Sequence, residues 1–425
     1  MKKIVLLLGT FIALAMPKVS GQAYFCVTPG TSKHALYVNF DRFYNFNNYE
    51  KHRVGAGLYY TVPLGKDSGV PAFETNLYGA YGTQDGLWKA GGDVAVRINN
   101  RTKTKFLIGG QYDLEQAASR KMDSYRLLDV ATNNSYLAWQ FSAIRRITGE
   151  VELTLPHSIL TLQGRFSREQ YLFDNHHSLY QVLEDPMMPV MDFIEYRSTV
   201  DIRGKWRINL ALGAVKDKYN TTRPVFGDGQ ARFFARVLAQ YYDTKSIGKL
   251  WNLNIFAQAG ASTKGIPYSR MFDLGGCGGS YYYFRNTLLT VLPGEFISNN
   301  FAYFNVRLIV KKPLWNTPFS KPVPFVQLSG LWGNSWDKNG ELPYYSLLTN
   351  DFGNFIDPEA MKAKSLMQPS YGLLEPSLGI SNLLRWNAIN ISIAIAYRLA
   401  PPNAPYYRYK AIDNFAYMVG AAINL

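Results

Sequence analysis

Strict two-residue alternation between Trp386 and Leu399 restricts the fold of this chain more than any other feature. The odd positions run Ile389, Ile391, Ile393, Ile395, Tyr397 and Leu399. The even positions are Trp386, Ala388, Asn390, Ser392, Ala394, Ala396 and, at the end, Arg398. A period of two is the signature of a strand with unlike faces. A half-buried soluble strand carries charge on its outer face, whereas the face opposite these isoleucines is small or polar. That pattern suits a wall with lipid outside and a wet or filled lumen inside. A buried strand of a soluble sandwich is the alternative that this stretch alone leaves open. On the barrel reading, Ile391→Arg blocks insertion and Ser392→Arg is tolerated.

The same period recurs along the chain. Val54, Ala56, Leu58, Tyr60 and Val62 alternate with Arg53, Gly55, Gly57, Tyr59 and Thr61. Phe73 to Tyr81, Trp88 to Ile98, Phe106 to Leu114, Ile147 to Leu155, Leu160 to Phe166, Glu195 to Arg203, Trp206 to Val215, Phe233 to Tyr241 and Trp251 to Ala259 follow. Ala302 to Val310, Pro322 to Trp332, Leu374 to Asn382, Trp386 to Leu399 and Phe415 to Leu425 complete the series. Counting a first strand at Leu36, about 16 strands fit, and the lipid-side faces of the clearest ones hold no charge. A lysine or arginine at mid-bilayer costs roughly 2–4 kcal/mol there. Short connections (Asn99 to Lys103, Pro156-His157, Gly204-Lys205, Leu383 to Arg385) alternate with long ones (Glu115 to Arg146, Leu172 to Phe193, Ala261 to Asn300, Gly333 to Tyr371). The expected fold class is therefore all-β: a transmembrane antiparallel β-barrel, with short periplasmic turns, long outer loops and both termini in the periplasm.

Residues 1–21 read as a cleaved signal peptide, with Lys2 and Lys3 before the apolar run Ile4 to Ala15 and a small residue, Gly21, before the cut. Residues 22–34 are then a short periplasmic segment and 35–425 the barrel. The apolar run is too short for a membrane helix, which needs roughly 20 residues. The formal charge of +14, less Lys2, Lys3 and Lys18, leaves +11 on the exported chain. For an exported chain the partner class is anionic membrane rather than nucleic acid. The expected partners are outer-membrane lipid and lipopolysaccharide, the barrel assembly machinery that inserts such chains, and an unidentified periplasmic or surface protein. The aromatic content of 15% would supply interfacial girdles. Two cysteines, Cys26 and Cys277, are too few for a disulfide framework or metal cluster.

Pro267-Tyr268, Ser280 to Tyr283, Glu295 to Asn299, Lys311-Lys312-Pro313-Leu314 and Leu331-Trp332-Gly333 occur in that order, followed by Tyr371 to Leu384 and the terminal hairpin. Through these the chain resembles a family of outer-membrane barrels of unknown function from Bacteroidetes-type bacteria, over roughly Phe40 to Leu425. Members usually carry an upstream carboxypeptidase-regulatory-like sandwich, which residues 22–34 are not expected to hold, and that puts any role borrowed from that domain in doubt. More distantly the layout is similar to the sixteen-stranded assembly-factor and two-partner-secretion barrels. That resemblance implies that the sixth long loop, Ala261 to Asn300, folds into the lumen, with Arg285 of Tyr283-Phe284-Arg285-Asn286 as the candidate pin. Asn286 stands where the motif has glycine, and an ordinary loop arginine is the plainer alternative. The segment ahead of the barrel is expected to be too short for the periplasmic docking domains of assembly factors. The terminus Gly420 to Leu425 resembles a barrel-insertion signal, with Leu425 in place of the usual aromatic.

Nothing in the sequence resembles an active site, so no catalytic residue, cofactor or metal is expected. His176-His177 beside Asp174 lie in a long loop, and adjacent residues on extended chain point apart. Gly275 to Gly279 has no lysine or helix after it, so it reads as a flexible loop and not as a phosphate cradle. Glu150 and Glu152 share the lumen face with Arg165, and Glu195, Asp201, Arg203, Arg232, Arg236 and Arg307 would line the lumen beside them. Two functions follow: a transport or translocation barrel with a loop folded into it, or a plugged non-conducting scaffold for surface binding or envelope assembly.

Overall fold

The computed structural model describes residues 24–26, 35–39, 43–47, 50–63, 71–99, 104–116, 143–154, 160–171, 190–202, 205–217, 232–263, 266, 270–274, 276, 288–291, 296–334, 369–386, 389–404 and 406–423. The signal-like segment, the 156–157 turn, the 174–177 cluster, Arg203 and Arg285 lie outside the described residues.

Three short strands open the chain: β1 (Tyr24–Cys26), β2 (Ala35–Asn39) and β3 (Tyr44–Asn47). Then come β4 (Lys51–Pro63), β5 (Pro71–Gly82), β6 (Trp88–Asn99), β7 (Thr104–Gln116), β8 (Ala143–Thr154), β9 (Leu160–Tyr171), β10 (Val190–Ile202), β11 (Trp206–Asp217), β12 (Arg232–Ile247) and β13 (Trp251–Ser262). Two-residue strands β14 (Phe272–Asp273) and β15 (Ile297–Ser298) pair with each other. The chain ends with β16 (Asn300–Val310), β17 (Val323–Asn334), β18 (Leu373–Trp386), β19 (Ile389–Tyr397) and β20 (Phe415–Ile423).

All pairings are antiparallel and follow chain order, β4 to β13, then β13 to β16 and on to β20. The main sheet has 18 strands. Removing the short β1, β2 and β3 leaves 18 − 3 = 15 long ones. β2 and β3 both pair with β4, at Leu58–Thr61 and Lys51–Val54, as two pieces of one interrupted strand. Among the described residues no pairing joins β20 to β1 or β2. No helix among them is long and apolar enough to cross a membrane, a criterion that says nothing of strands.

The sheet's two faces invert the polarity of a soluble domain. Leu58, Leu77, Val94, Ile108, Ile194, Leu210, Phe233, Val237, Val326, Leu378 and Ile393 point outward and are exposed. The intervening positions point inward, and many are polar and buried: Arg53, Lys89, Asp113, Glu195, Arg236, Gln240, Gln258, Asn305, Arg307, Gln327, Glu375 and Arg398. Aromatic residues collect where the outward stripe ends. Tyr81 and Trp88 pack at 5.2 Å at the long-connection end, and Trp206 and Tyr241 at 4.6 Å at the short-connection end. Glycine makes the tightest turns possible: Gly86 and Gly248 hold φ of 64° and 55°, which a Cβ disfavours.

The isoleucine strand behaves as its period predicts, with Ile393 outward and Ser392, Ala394 and Ala396 buried inward. Two expectations need correction. The turn expected at Leu383 to Arg385 is strand. β18 continues to Trp386 after a register shift between Ile380 and Leu384, where Asn382 takes a φ of 57°. The shift sets three β18 residues, 381–383, against Ser392 alone, two extra residues that leave the inward–outward parity unchanged, so periodicity cannot register it. Ser392 does not face open water either. It is 6% exposed, so an arginine there meets packed protein.

Candidate functional site

The site is built where the β13–β16 connection, residues 263–299, enters the space on the inner face of the sheet. Eight of its apolar side chains, Ile266, Met271, Phe272, Leu274, Leu288, Leu289, Val291 and Phe296, are at most 3% exposed. Phe272, Leu274, Leu288, Val291 and Phe296 form one cluster with inward residues of β12 to β18, among them Leu238, Phe256, Phe301, Tyr303, Leu331 and Leu373, and Leu289 packs in a second with Phe325, Ala394 and Ala396. Burying each such side chain stabilises by roughly 1.5–3 kcal/mol. Gly276 is required by this packing. A Cβ there would collide with the Leu288 carbonyl oxygen and sit 2.8 Å from that of Val291. The glycine run that reads as a flexible loop is therefore, at Gly276, a close backbone approach.

Two polar anchors fix the connection to the wall. Arg270, 1% exposed, donates from Nε to Glu195 Oε2 at 2.6 Å and lies 4.4 Å over the Phe193 ring. Arg197 donates from Nε to the other Glu195 oxygen. Register puts Glu195 opposite Arg165, and Arg165 opposite Glu150. The second anchor is Glu375 of β18. Its Oε1 accepts from the Leu289 amide at 2.8 Å, and its Oε2 accepts from the Thr290 amide at 2.8 Å and the Thr290 hydroxyl at 2.6 Å.

The β19–β20 connection then closes over the inserted chain. The Tyr406 ring meets Phe296 edge-on at 5.3 Å, and its hydroxyl donates to the Gly372 carbonyl at 3.0 Å. Arg408 Nη2 donates to the Thr290 carbonyl at 3.2 Å, and Arg398 Nη2 to that of Tyr406 at 3.2 Å. Partial burial raises the Tyr406 hydroxyl above its ordinary pKa.

The lumen-lining expectations resolve unevenly. Arg236 is buried, with its guanidinium 4.2 Å from the Phe272 ring of the inserted connection. Arg307 is likewise buried, 3.6 Å over Phe325, donating to Ser381 Oγ at 2.7 Å. Arg232 shares the inward parity but sits exposed at the long-connection end of β12. Glu150, Glu152 and Arg165 are placed by strand register alone, Glu152 opposite Gln163. Asp201 is half-buried on β10.

Sequence reading missed Arg270 and Glu375, because neither stands in a motif and their partners are 75 and 86 residues away in the chain. It also missed a second buried network at the long-connection end of β4 to β7. Arg53 donates to both Asp113 oxygens at 2.6 and 2.8 Å, and Tyr78 donates to Asp113 at 2.6 Å. Lys89 bridges Glu50 at 2.7 Å and Asp85 at 2.5 Å. Paired and hydrogen-bonded, these charges brace the wall. Among the described residues no cluster of histidine, cysteine or carboxylate is arranged to hold a metal.

No family model matches the chain, and no curated protein does. Solved structures similar to it include BamA from Haemophilus ducreyi lacking POTRA domains 1–3, at 10% identity and TM-score 0.46, covering 99% of this chain and 78% of that one. CdiB from Escherichia coli is similar at 14% identity and TM-score 0.44, covering 97% and 68%. Wzi from Escherichia coli, an outer membrane protein involved in group 1 capsule assembly, matches at 10% identity and TM-score 0.32, covering 99% and 87%. At such identities and scores these are likenesses between this chain and outer-membrane proteins, and the Bacteroidetes-type family named from the sequence stays a resemblance.

Proposed function

We propose that this chain is a non-enzymatic outer-membrane β-barrel of about sixteen staves, plugged at rest by its 263–299 connection and serving as an outer-membrane scaffold for surface binding or envelope assembly. The observation that carries the membrane reading is the inverted polarity of the sheet, apolar across the middle of its outward face with charges such as Arg168, Asp192 and Lys216 at its long-connection end, and charged and buried inward. Water outside would leave that apolar band exposed, whereas lipid makes it the favourable face. Counting β2 and β3 as one stave beside the fifteen long strands gives sixteen, closed by β20 against the first strand. Closure removes two open edges that hydrocarbon does not tolerate.

The plugged state is supported by the burial of the inserted connection and its two anchors, Arg270–Glu195 and Glu375. Lipid, lipopolysaccharide and the assembly machinery for insertion are the partners any such barrel requires. The second reading is a translocation barrel whose plug leaves the lumen on demand. It is favoured by the polar character of both anchors, since water can replace their hydrogen bonds when the connection departs.

Planar-bilayer recording tests the proposal. The purified barrel is expected to insert without conductance, and deletion of residues 275–290 to give stable ohmic steps. A wild-type chain with a steady open pore refutes the plug. A chain that neither inserts nor changes gel mobility on heating refutes the barrel.

A further inference from the structure

The short-connection end of the sheet carries a surface that neither barrel wall nor plug accounts for. One contact joins two of its turns, and two more tie its turns to β12 and β18. The Lys205 carbonyl accepts from the Tyr242 amide at 2.8 Å, Lys311 Nζ donates to the Gly248 carbonyl at 2.6 Å, and Ser320 Oγ donates to the Leu383 carbonyl at 2.6 Å. Residue 205 and the turns 248–250 and 311–322 supply Lys205, Lys249, Lys311, Lys312 and Lys321 and no acidic residue. The long connection 335–372 at the opposite end holds five acids against three lysines. Lys205 is spent on Asp243 at 2.9 Å, and Lys311 clamps two turns together. Among the described residues Lys249, Lys312 and Lys321 make no ion pair.

Large apolar groups stand among these lysines on the turns themselves, where strand alternation does not explain them. Leu250, Leu314 and Phe319 are 59%, 59% and 66% exposed, and Trp315 is 48% exposed. Trp315 is held in place by its Nε1, which donates to Ser320 Oγ at 2.9 Å. An aromatic rim with lysines around it fits the boundary between hydrocarbon and headgroups, rings in the boundary and ammonium groups reaching outward.

We infer that this basic, aromatic rim docks onto the anionic phospholipid headgroups of the periplasmic leaflet, tying the β10–β18 wall to that leaflet. The inference rests on the barrel orientation proposed above. A lipid surface fits better than an acidic protein, because the lysines stand among exposed Leu250, Leu314, Trp315 and Phe319, which a headgroup boundary takes in and an acidic surface does not. Each lysine near an anionic surface contributes about 1 kcal/mol, or about fivefold in affinity.

The test uses the full chain in nanodiscs of equal phosphatidylcholine and phosphatidylglycerol, released into mild detergent and weighed by native mass spectrometry. Wild type is expected to retain phosphatidylglycerol over phosphatidylcholine by at least about fivefold. The triple variant Lys249→Glu, Lys312→Glu, Lys321→Glu should fall to parity, and the matching Lys→Arg triple should keep the preference. Parity in wild type, or an undiminished preference in the charge-reversed variant, overturns the inference and assigns the rim to an acidic protein surface. Heat-dependent gel mobility is read on the same samples. Loss of insertion breaks the barrel reading and this inference with it, whereas insertion without lipid preference breaks this inference alone.

Discussion

Glu375→Ala is the most informative single change. The carboxylate accepts two backbone amides and one hydroxyl from Leu289 and Thr290, all of them buried. The Thr290 hydroxyl can rotate to another acceptor, but an amide cannot. Each orphaned buried amide costs about 1–3 kcal/mol, so the docked plug loses about 2–6 kcal/mol. At about 1.4 kcal/mol per tenfold, the undocked population rises about 30-fold at the lower figure and more than ten-thousand-fold at the upper. Glu375→Gln keeps one acceptor oxygen and turns an NH₂ toward the other donors, so it should fall between. In planar bilayers Glu375→Ala is expected to show frequent openings where wild type is silent, with trypsin gaining access to the connection. A Glu375→Ala protein as silent, as protease-resistant and as heat-stable as wild type refutes the assignment of this residue as an anchor.

Three further outcomes are expected. Leu210 is exposed outward on β11 and Asn209 faces inward and half-buried, so Leu210→Arg should lower the yield of heat-modifiable barrel by a cost of about 2–4 kcal/mol at mid-bilayer, while Asn209→Arg inserts. Glu195→Gln should destabilise by about 3–5 kcal/mol in urea titration of the micelle-bound protein, because buried Arg270 and Arg197 both lose their carboxylate, whereas Arg270→Met should cost less, since Arg197 still pairs with Glu195. The hydrogen bond and charge of Asp243 raise the Lys205 pKa above the ordinary lysine value. The raised value means that this contribution is present below the ordinary lysine pKa and is lost as pH rises through the raised one, so NMR titration of dimethylated lysines should show Asp243→Asn bringing Lys205 back down.

The wall was legible in the sequence for a local reason. Alternation at β4, β12 and β19 is imposed by the strand's own two-residue period, and each side chain faces lipid or lumen by parity alone. The alternation of short and long connections gave the two ends in the same way. The 381–383 bulge was invisible, since two inserted residues keep the two-residue period and show only against the paired strand.

What the inner face touches was beyond such reasoning. Arg236 and Arg307 were placed on the correct face by parity, yet parity does not say whether water or a phenyl ring meets them, and the fold supplies Phe272 and Phe325. Arg285 was singled out through a resemblance, while the buried arginine among the described residues of that connection is Arg270, joined to a carboxylate 75 residues earlier. The sequence by itself determined the strands, their two faces and the ends of the sheet, because those follow from steric period and solvent preference residue by residue. Only the tertiary structure decided what fills the inner side and which charges hold it there, because contacts across 75 to 118 residues exist only once the sheet has brought its two halves around the inserted chain.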